Sequence, residues 1–171
     1  MLTPSHEQTA TDASAPADVV APAAKPTTTA LGRLTDFTNH ASQLAVQAIG
    51  MLGIHYKYGG NTPESGLDCS GLVRYVFKET LGTELPRTAA EISHVGNTIE
   101  LKDMRPGDLV FFNTLKRGFS HVGIYLGENR FIHSPSAGGQ VRIESMDLSY
   151  WKKRFDGARR IADSDGSSGG Q

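Results

Sequence analysis

The chain has 171 residues, 38% hydrophobic and 8% aromatic, enough for one domain with a packed core and short for two. Seventeen Lys and Arg stand against eighteen Asp and Glu, a formal charge of −1 that removes any global attraction to nucleic acid or anionic lipid. A single cysteine excludes an intramolecular disulfide and a paired-cysteine zinc knuckle. No run approaches the roughly 20 apolar residues of a membrane span. No export signal is visible either, since the stretch from Asp18 to Ala24 is short and broken by proline.

Residues 1–32 are dominated by Ala, Thr, Pro, Ser and Asp, bury too little apolar surface to offset ordering entropy, and are expected to be a disordered leader. The domain is expected over 33–162. It opens with a helix whose apolar stripe is Phe37, Ala41, Leu44, Ala45, Ala48, Ile49 and Leu52. The Gly, Asn and Pro content of His55 to Pro63 predicts an irregular loop. Leu72, Val73, Val76 and Phe77 then predict a helix from Cys69 to Thr80, with Asp68 as its N-cap.

A short helix from Ala89 to Val95 follows Pro86. Beyond Pro106-Gly107, where Asp108 reads as a turn residue, β-branched and aromatic runs predict strands. These are Asp108 to Phe112, His121 to Leu126, Arg130 to Ser134, Val141 to Ser145 and Ala158 to Ile161. Helices first and strands afterwards predict an α+β domain, with a mostly antiparallel sheet of five to six strands packed on the helices. The Gly/Ser-rich residues 163–171 are expected to be a disordered tail.

Cys69 is predicted at the first turn of a helix, where the helix dipole and free backbone N–H groups lower a thiol pKa and can hold an oxyanion. Taken alone it would be a small buried hydrophobe, as a lone cysteine usually is. Its flanks, Gly66-Leu67-Asp68-Cys69-Ser70-Gly71, are small and leave space for a substrate backbone.

A nucleophilic thiol also needs an imidazole and a group to orient it. If Gly127-Glu128-Asn129 is a three-residue hairpin loop, Leu126 pairs with Arg130, Gly123 faces His133, and His121 and His133 share one sheet face. A two-residue loop would put them on opposite faces. In the shared-face arrangement His121 takes the thiol proton and His133 orients His121, while His6, His40, His55 and His94 read as ordinary core or surface residues. Zinc held by Cys69, His121 and His133 is the competing reading. It ranks lower because a glycine-flanked helix N-terminus suits a nucleophile, so chelators are expected to have no effect and no cofactor is required.

Tyr56-Lys57-Tyr58-Gly59-Gly60, Asp68-Cys69-Ser70-Gly71-Leu72-Val73, Leu85-Pro86-Arg87-Thr88, Arg105-Pro106-Gly107-Asp108-Leu109-Val110-Phe111-Phe112 and Ser120-His121-Val122-Gly123-Ile124-Tyr125-Leu126-Gly127 together resemble the NlpC family of papain-like cell-wall cysteine peptidases. The stretch from Tyr150 to Arg160 resembles its MepS (Spr) murein endopeptidase subgroup. The resemblance implies a Cys69-His121-His133 triad, with Tyr56 supporting the oxyanion and Asp68, Ser70 and Arg87 as candidate substrate contacts. It also implies a peptidoglycan substrate, cut at the meso-diaminopimelate–D-Ala cross-link or, as in many relatives, at the γ-D-glutamyl-diaminopimelate bond. An acyltransferase and a non-catalytic wall-binding module on the same fold are the rival classes. A monomer acting in the periplasm or outside the cell is expected, without nucleic-acid partner or membrane span.

Overall fold

The computed structural model describes residues 30–136 and 139–161, so the expected leader up to residue 29 and the tail lie outside the described residues. Three helices come first: α1 (Ala30–Ile49), α2 (Cys69–Leu81) and α3 (Ala89–Ile92). On α1, Leu44 and Ala48 are fully buried, whereas Ile49 is 43% exposed, as is Leu52 of the predicted stripe, which lies past the end of the helix, so the buried face is narrower than the spacing suggests. Phe37 lies outside the residues whose side chains are described.

Helix α2 forms where the sequence puts it. The Asp68 carboxylate accepts from the Gly71 N–H at 2.7 Å, satisfying one donor of the first turn. Gly82, left-handed at φ 70, closes the other end through its N–H to the Lys78 carbonyl. Leu72, Val73, Val76 and Phe77 form the buried side. Helix α3 starts on a Thr88–Glu91 capping box and ends at Ile92, short of the predicted Val95.

A two-stranded ribbon pairs β1 (Asn61–Thr62), at the end of the predicted loop, with β2 (Gly66–Leu67), which follows it. The main sheet has six strands: β3 (Asn97–Ile99), β4 (Leu109–Phe112), β5 (His121–Gly127), β6 (Arg130–His133), β7 (Arg142–Ser145) and β8 (Phe155–Arg160). Their spatial order is β3-β8-β4-β5-β6-β7, and every pairing is antiparallel. Strand β3 and a helix α4 (Ser149–Arg154) between β7 and β8 were not predicted. Asp108 closes the expected turn, its N–H donating to the Arg105 carbonyl at 3.0 Å, but its side chain does more than that. It is 2% exposed and accepts from Arg160 Nε at 2.8 Å and from the Arg105 N–H, which ties the start of β4 to the end of β8.

Alternation along the strands divides the interior in two. Leu109, Phe111, Val122, Ile124 and Ile132 face α1 and α2 and join Leu44, Val76 and Phe77 in the larger core. Val110, Phe112, Tyr125 and Phe131 face the other way, where Trp151 of α4 covers them. Both histidines of the β5–β6 hairpin lie on this second face, against Trp151.

The hairpin reaches the predicted register by a different route. Its turn is the two-residue pair Glu128-Asn129, both left-handed (φ 53 and 60), and Gly127 rather than Leu126 pairs with Arg130. That turn alone would separate the histidines. A bulge between the Tyr125 and Gly127 pairs supplies the missing residue, so that Tyr125↔Phe131 and Ile124↔Ile132 fall in the register of a three-residue loop. Gly123 then lies against His133, where a Cβ would come within 2.9 Å of the Ile132 carbonyl and 3.1 Å of His133 Cβ.

Candidate active site

The segment before Cys69 is held by backbone on both sides. Leu67 N–H donates to the His55 carbonyl (3.2 Å), Asp68 N–H to Gly60 (3.1 Å), and Gly59 N–H to Asp68 Oδ2 (3.0 Å), fixing the Tyr56–Gly60 loop beside the start of α2. A side chain on Gly71 would run into the Gly60 carbonyl, and one on Gly60 into the Gly66 carbonyl. The small residues around Cys69 therefore admit the protein's own loop, whereas the sequence reading assigned their clearance to substrate. From the opposite side Ser134 Oγ, one residue past His133, donates to the Leu67 carbonyl at 2.5 Å. This bond brings the end of β6 to the start of α2.

Cys69 is partly exposed and lines a cleft of about 570 Å³ with Tyr56, His121, Glu144 and Trp151. That volume falls within the range of small-molecule and peptide-subsite pockets. The backbone N–H groups of Val122 and Ser70 donate toward its sulfur. The expected lowering of the thiol pKa is not found: burial, reinforced by the Asp68 charge, outweighs those donors and pushes it up to about 11. Burial likewise pushes His121 down to about 3, with the neighbouring His133 adding to the effect. Neither group ionises alone at neutral pH.

Behind His121 runs a chain of short hydrogen bonds. His121 Nε2 lies 2.8 Å from His133 Nδ1, and His133 Nε2 lies 2.8 Å from Glu144 Oε2. His121 is 8% exposed and His133 fully buried. Burial pushes His133 down to about 4 against the opposing pull of Glu144. Burial also raises Glu144, but hydrogen bonds from Trp151, Arg142 and His133 prevail and hold it at about 2. Trp151 stacks on His121 (5.7 Å between ring centres, 20° between planes), meets His133 edge-on, and donates its indole N–H to Glu144 Oε1 at 3.0 Å.

The other predicted site residues fall in two groups. Tyr56 lines the cleft, its phenol pKa raised by burial and by the Asp68 charge. Asp68, Ser70 and Arg87 are not among the lining residues but bind one another: Arg87 reaches Asp68 Oδ2 at 2.9 Å and Ser70 Oγ at 2.8 Å. Asp68 also serves as the N-cap. Among the described residues no group of three or more His, Cys, Asp or Glu side chains is placed to hold a metal ion.

Sequence reasoning missed Glu144, Arg142 and Trp151. The first two lie on β7, whose residues 142 and 144 pair with His133 and Phe131 and so share the histidine face, a register that only the structure gives. Trp151 is the chain's only tryptophan.

A thiol at a helix N-terminus, sharing a cleft with His121 of an antiparallel sheet that is itself backed by the buried His133, is the layout of the papain-like α+β class. The NlpC/P60 family model matches residues 53–160, and the chain belongs to that family. Among similar proteins, murein DD-endopeptidase MepH of Escherichia coli K12 is 43% identical over 113 residues, covering 64% of this chain and 42% of that protein. Murein DD-endopeptidase MepS/murein LD-carboxypeptidase of the same strain is 44% identical over 109 residues, covering 64% and 56%. A γ-DL-glutamyl hydrolase of Bacillus subtilis 168 is 46% identical over 111 residues, covering 64% and 27%. The chain thus spans between about a quarter and just over half the length of these relatives. A crystal structure of an NlpC/P60 family protein from Bacillus cereus superposes with a TM-score of 0.67 at 31% identity, over 71% of this chain and 40% of that one. The NlpC/P60 domain of the peptidoglycan hydrolase SagA gives 0.63 at 29%, over 71% and 98%. No described helix is long and apolar enough to cross a membrane.

Proposed function

We propose that this protein is a cysteine endopeptidase that hydrolyses the meso-diaminopimelate–D-Ala cross-link of peptidoglycan, with Cys69 as nucleophile, His121 as base and acid, and His133 orienting His121. One observation carries the reading: the thiol at the start of α2 opens on the same cleft as His121, whose far nitrogen is hydrogen-bonded to the buried His133. As the sulfur attacks the amide carbonyl, the thiol proton passes to His121 and a carbon–sulfur bond forms. The oxyanion is held by backbone N–H at the start of α2 and by the Tyr56 hydroxyl. His121 then protonates the departing amine as the carbon–nitrogen bond breaks, and water hydrolyses the acyl-enzyme with His121 as base. These steps use no metal or cofactor.

The choice of bond follows the two E. coli relatives named as murein DD-endopeptidases. The B. subtilis relative named as a γ-DL-glutamyl hydrolase supports a second reading, cleavage of the γ-D-glutamyl-diaminopimelate bond. Either substrate fits a protein that acts in the periplasm or outside the cell, where we propose that it works as a monomer. The domain limits we propose are 33–162, preceded by a tether and followed by a short tail.

A purified cross-linked muropeptide dimer separates the two bonds. Incubation followed by mass spectrometry is expected to yield two intact monomers. Stem fragments ending in D-glutamate would instead assign the γ-D-glutamyl bond, and an unchanged dimer would refute both.

A further inference from the structure

We infer that Glu144 is a positioning residue for the proposed reaction: through His133 it sets which nitrogen of His121 is free to take the thiol proton. The inference rests on the peptidase reading and extends it by one residue.

Donors and acceptors along the chain fix where each hydrogen lies. The Glu144 carboxylate accepts on all sides: from Arg142 Nε at 2.8 Å and His133 Nε2 at 2.8 Å on Oε2, and from Trp151 Nε1 at 3.0 Å on Oε1. An ionised carboxylate has no proton to give, so His133 carries its hydrogen on Nε2. His133 is fully buried and neutral, which leaves Nδ1 bare and makes it the acceptor from His121. His121 Nε2 is therefore the donor across the 2.8 Å contact, and its Nδ1 is the one ring nitrogen left as a base. Each hydrogen in the chain is dictated by the charge at its end.

The groups facing this chain reinforce that pattern. Arg142 on β7 balances the carboxylate and opposes protonation of His133. Trp151 on α4 donates its N–H to the carboxylate, and Cys69 and Tyr56 line the same cleft as Glu144 and His121. Glu144 is held by three donors from three elements, which suits an anchor better than a side chain that moves to meet substrate.

Glu144→Gln tests the inference because it keeps the shape and removes the charge. All three neighbours are donors, so the amide NH2 must face one of them. Turned toward His133, it reverses the chain and puts a hydrogen on His121 Nδ1. Turned toward Trp151, it leaves a buried indole N–H unpaired. The expected result is a fall in kcat of about a hundredfold or more, smaller than or comparable to that caused by a wrong tautomer at a triad histidine. KM is expected to be little changed, with partial recovery of kcat in Glu144→Asp.

Nitrogen-15 NMR of the imidazoles supplies a readout that mere loosening of the fold would not produce: wild type should show His121 bare at Nδ1 and hydrogen-bearing at Nε2, and Glu144→Gln should lose that assignment while retaining a folded spectrum. Wild-type kcat in Glu144→Gln, or an unchanged His121 tautomer in a slowed variant, would overturn the inference. An inactive wild type would instead refute the peptidase reading itself.

Discussion

Replacing Gly123 by alanine puts one methyl group where β5 meets β6 inside the proposed site. The new Cβ would lie 2.9 Å from the Ile132 carbonyl oxygen, 2.9 Å from Phe131 Cδ2 and 3.1 Å from His133 Cβ. The carbonyl belongs to a strand paired on both sides, Phe131 packs on Phe112 and Trp151, and His133 is pinned at both ring nitrogens. None of the three gives way easily, so the cost belongs in the upper part of the usual range for overpacking, about 2–3 kcal/mol. For a domain of this size that is a fall in Tm of roughly 5–12 °C. Calorimetry reads the stability, and cleavage of a muropeptide dimer reads the activity, which should drop further than stability because His133 is the group displaced. Gly118→Ala is the control, since its Cβ would meet nothing closer than Asp156 Oδ2 at 3.5 Å. Stability within about 0.5 kcal/mol of wild type together with full activity in Gly123→Ala would refute the packing argument.

Acid should destabilise the fold through the buried imidazoles. Their pKa values are depressed on folding, to about 3 and about 4, so the unfolded chain binds the extra protons. Their stabilising effect is complete above pH 6.5 and is lost as pH falls toward 4, at up to about 1.4 kcal/mol per pH unit for each ring. Glu144, held at about 2, adds a further loss below pH 4.5. Urea midpoints from pH 7 to 4 test this, and a flat profile would contradict it. Asp108→Ala leaves Arg160 beside a missing carboxylate and should cost about 3 kcal/mol, read by chemical denaturation, with no specific effect on KM. Asp68→Ala removes both the cap of α2 and the anchor of Arg87 and should cost about 1–2 kcal/mol, whereas Asp68→Asn, which still caps, should cost less. Equal losses in the two Asp68 variants would show that the charge, not the cap, matters.

Local rules made α2 and its cap legible, since Asp68 and the Leu72–Phe77 spacing belong to one element. The histidine pair was legible in outcome but not in cause. The expected three-residue loop and the observed two-residue turn with a bulge give the same register, and the backbone of Gly127, at φ 98 beside the bulge, suits a glycine in either arrangement. Glu144 was out of reach because the long connection between His133 and Arg142 does not fix how β7 registers on β6. Without that register, alternation alone cannot say which face carries residues 142 and 144. The turn at Asp108 was legible but its ion pair was not: its partner Arg160 is 52 residues away, and no local pattern announces a long-range ion pair. The glycines near Cys69 marked crowding correctly, but the occupant of the space is the Gly60 backbone.

The central claim is that Cys69 performs the chemistry with His121. Its most direct test is digestion of purified peptidoglycan sacculi by wild type, Cys69→Ala and His121→Ala, each confirmed folded by its circular dichroism spectrum, with products resolved by liquid chromatography and mass spectrometry. The account predicts that wild type alone removes cross-linked dimers. Equal digestion by all three proteins, or none by wild type, would contradict it.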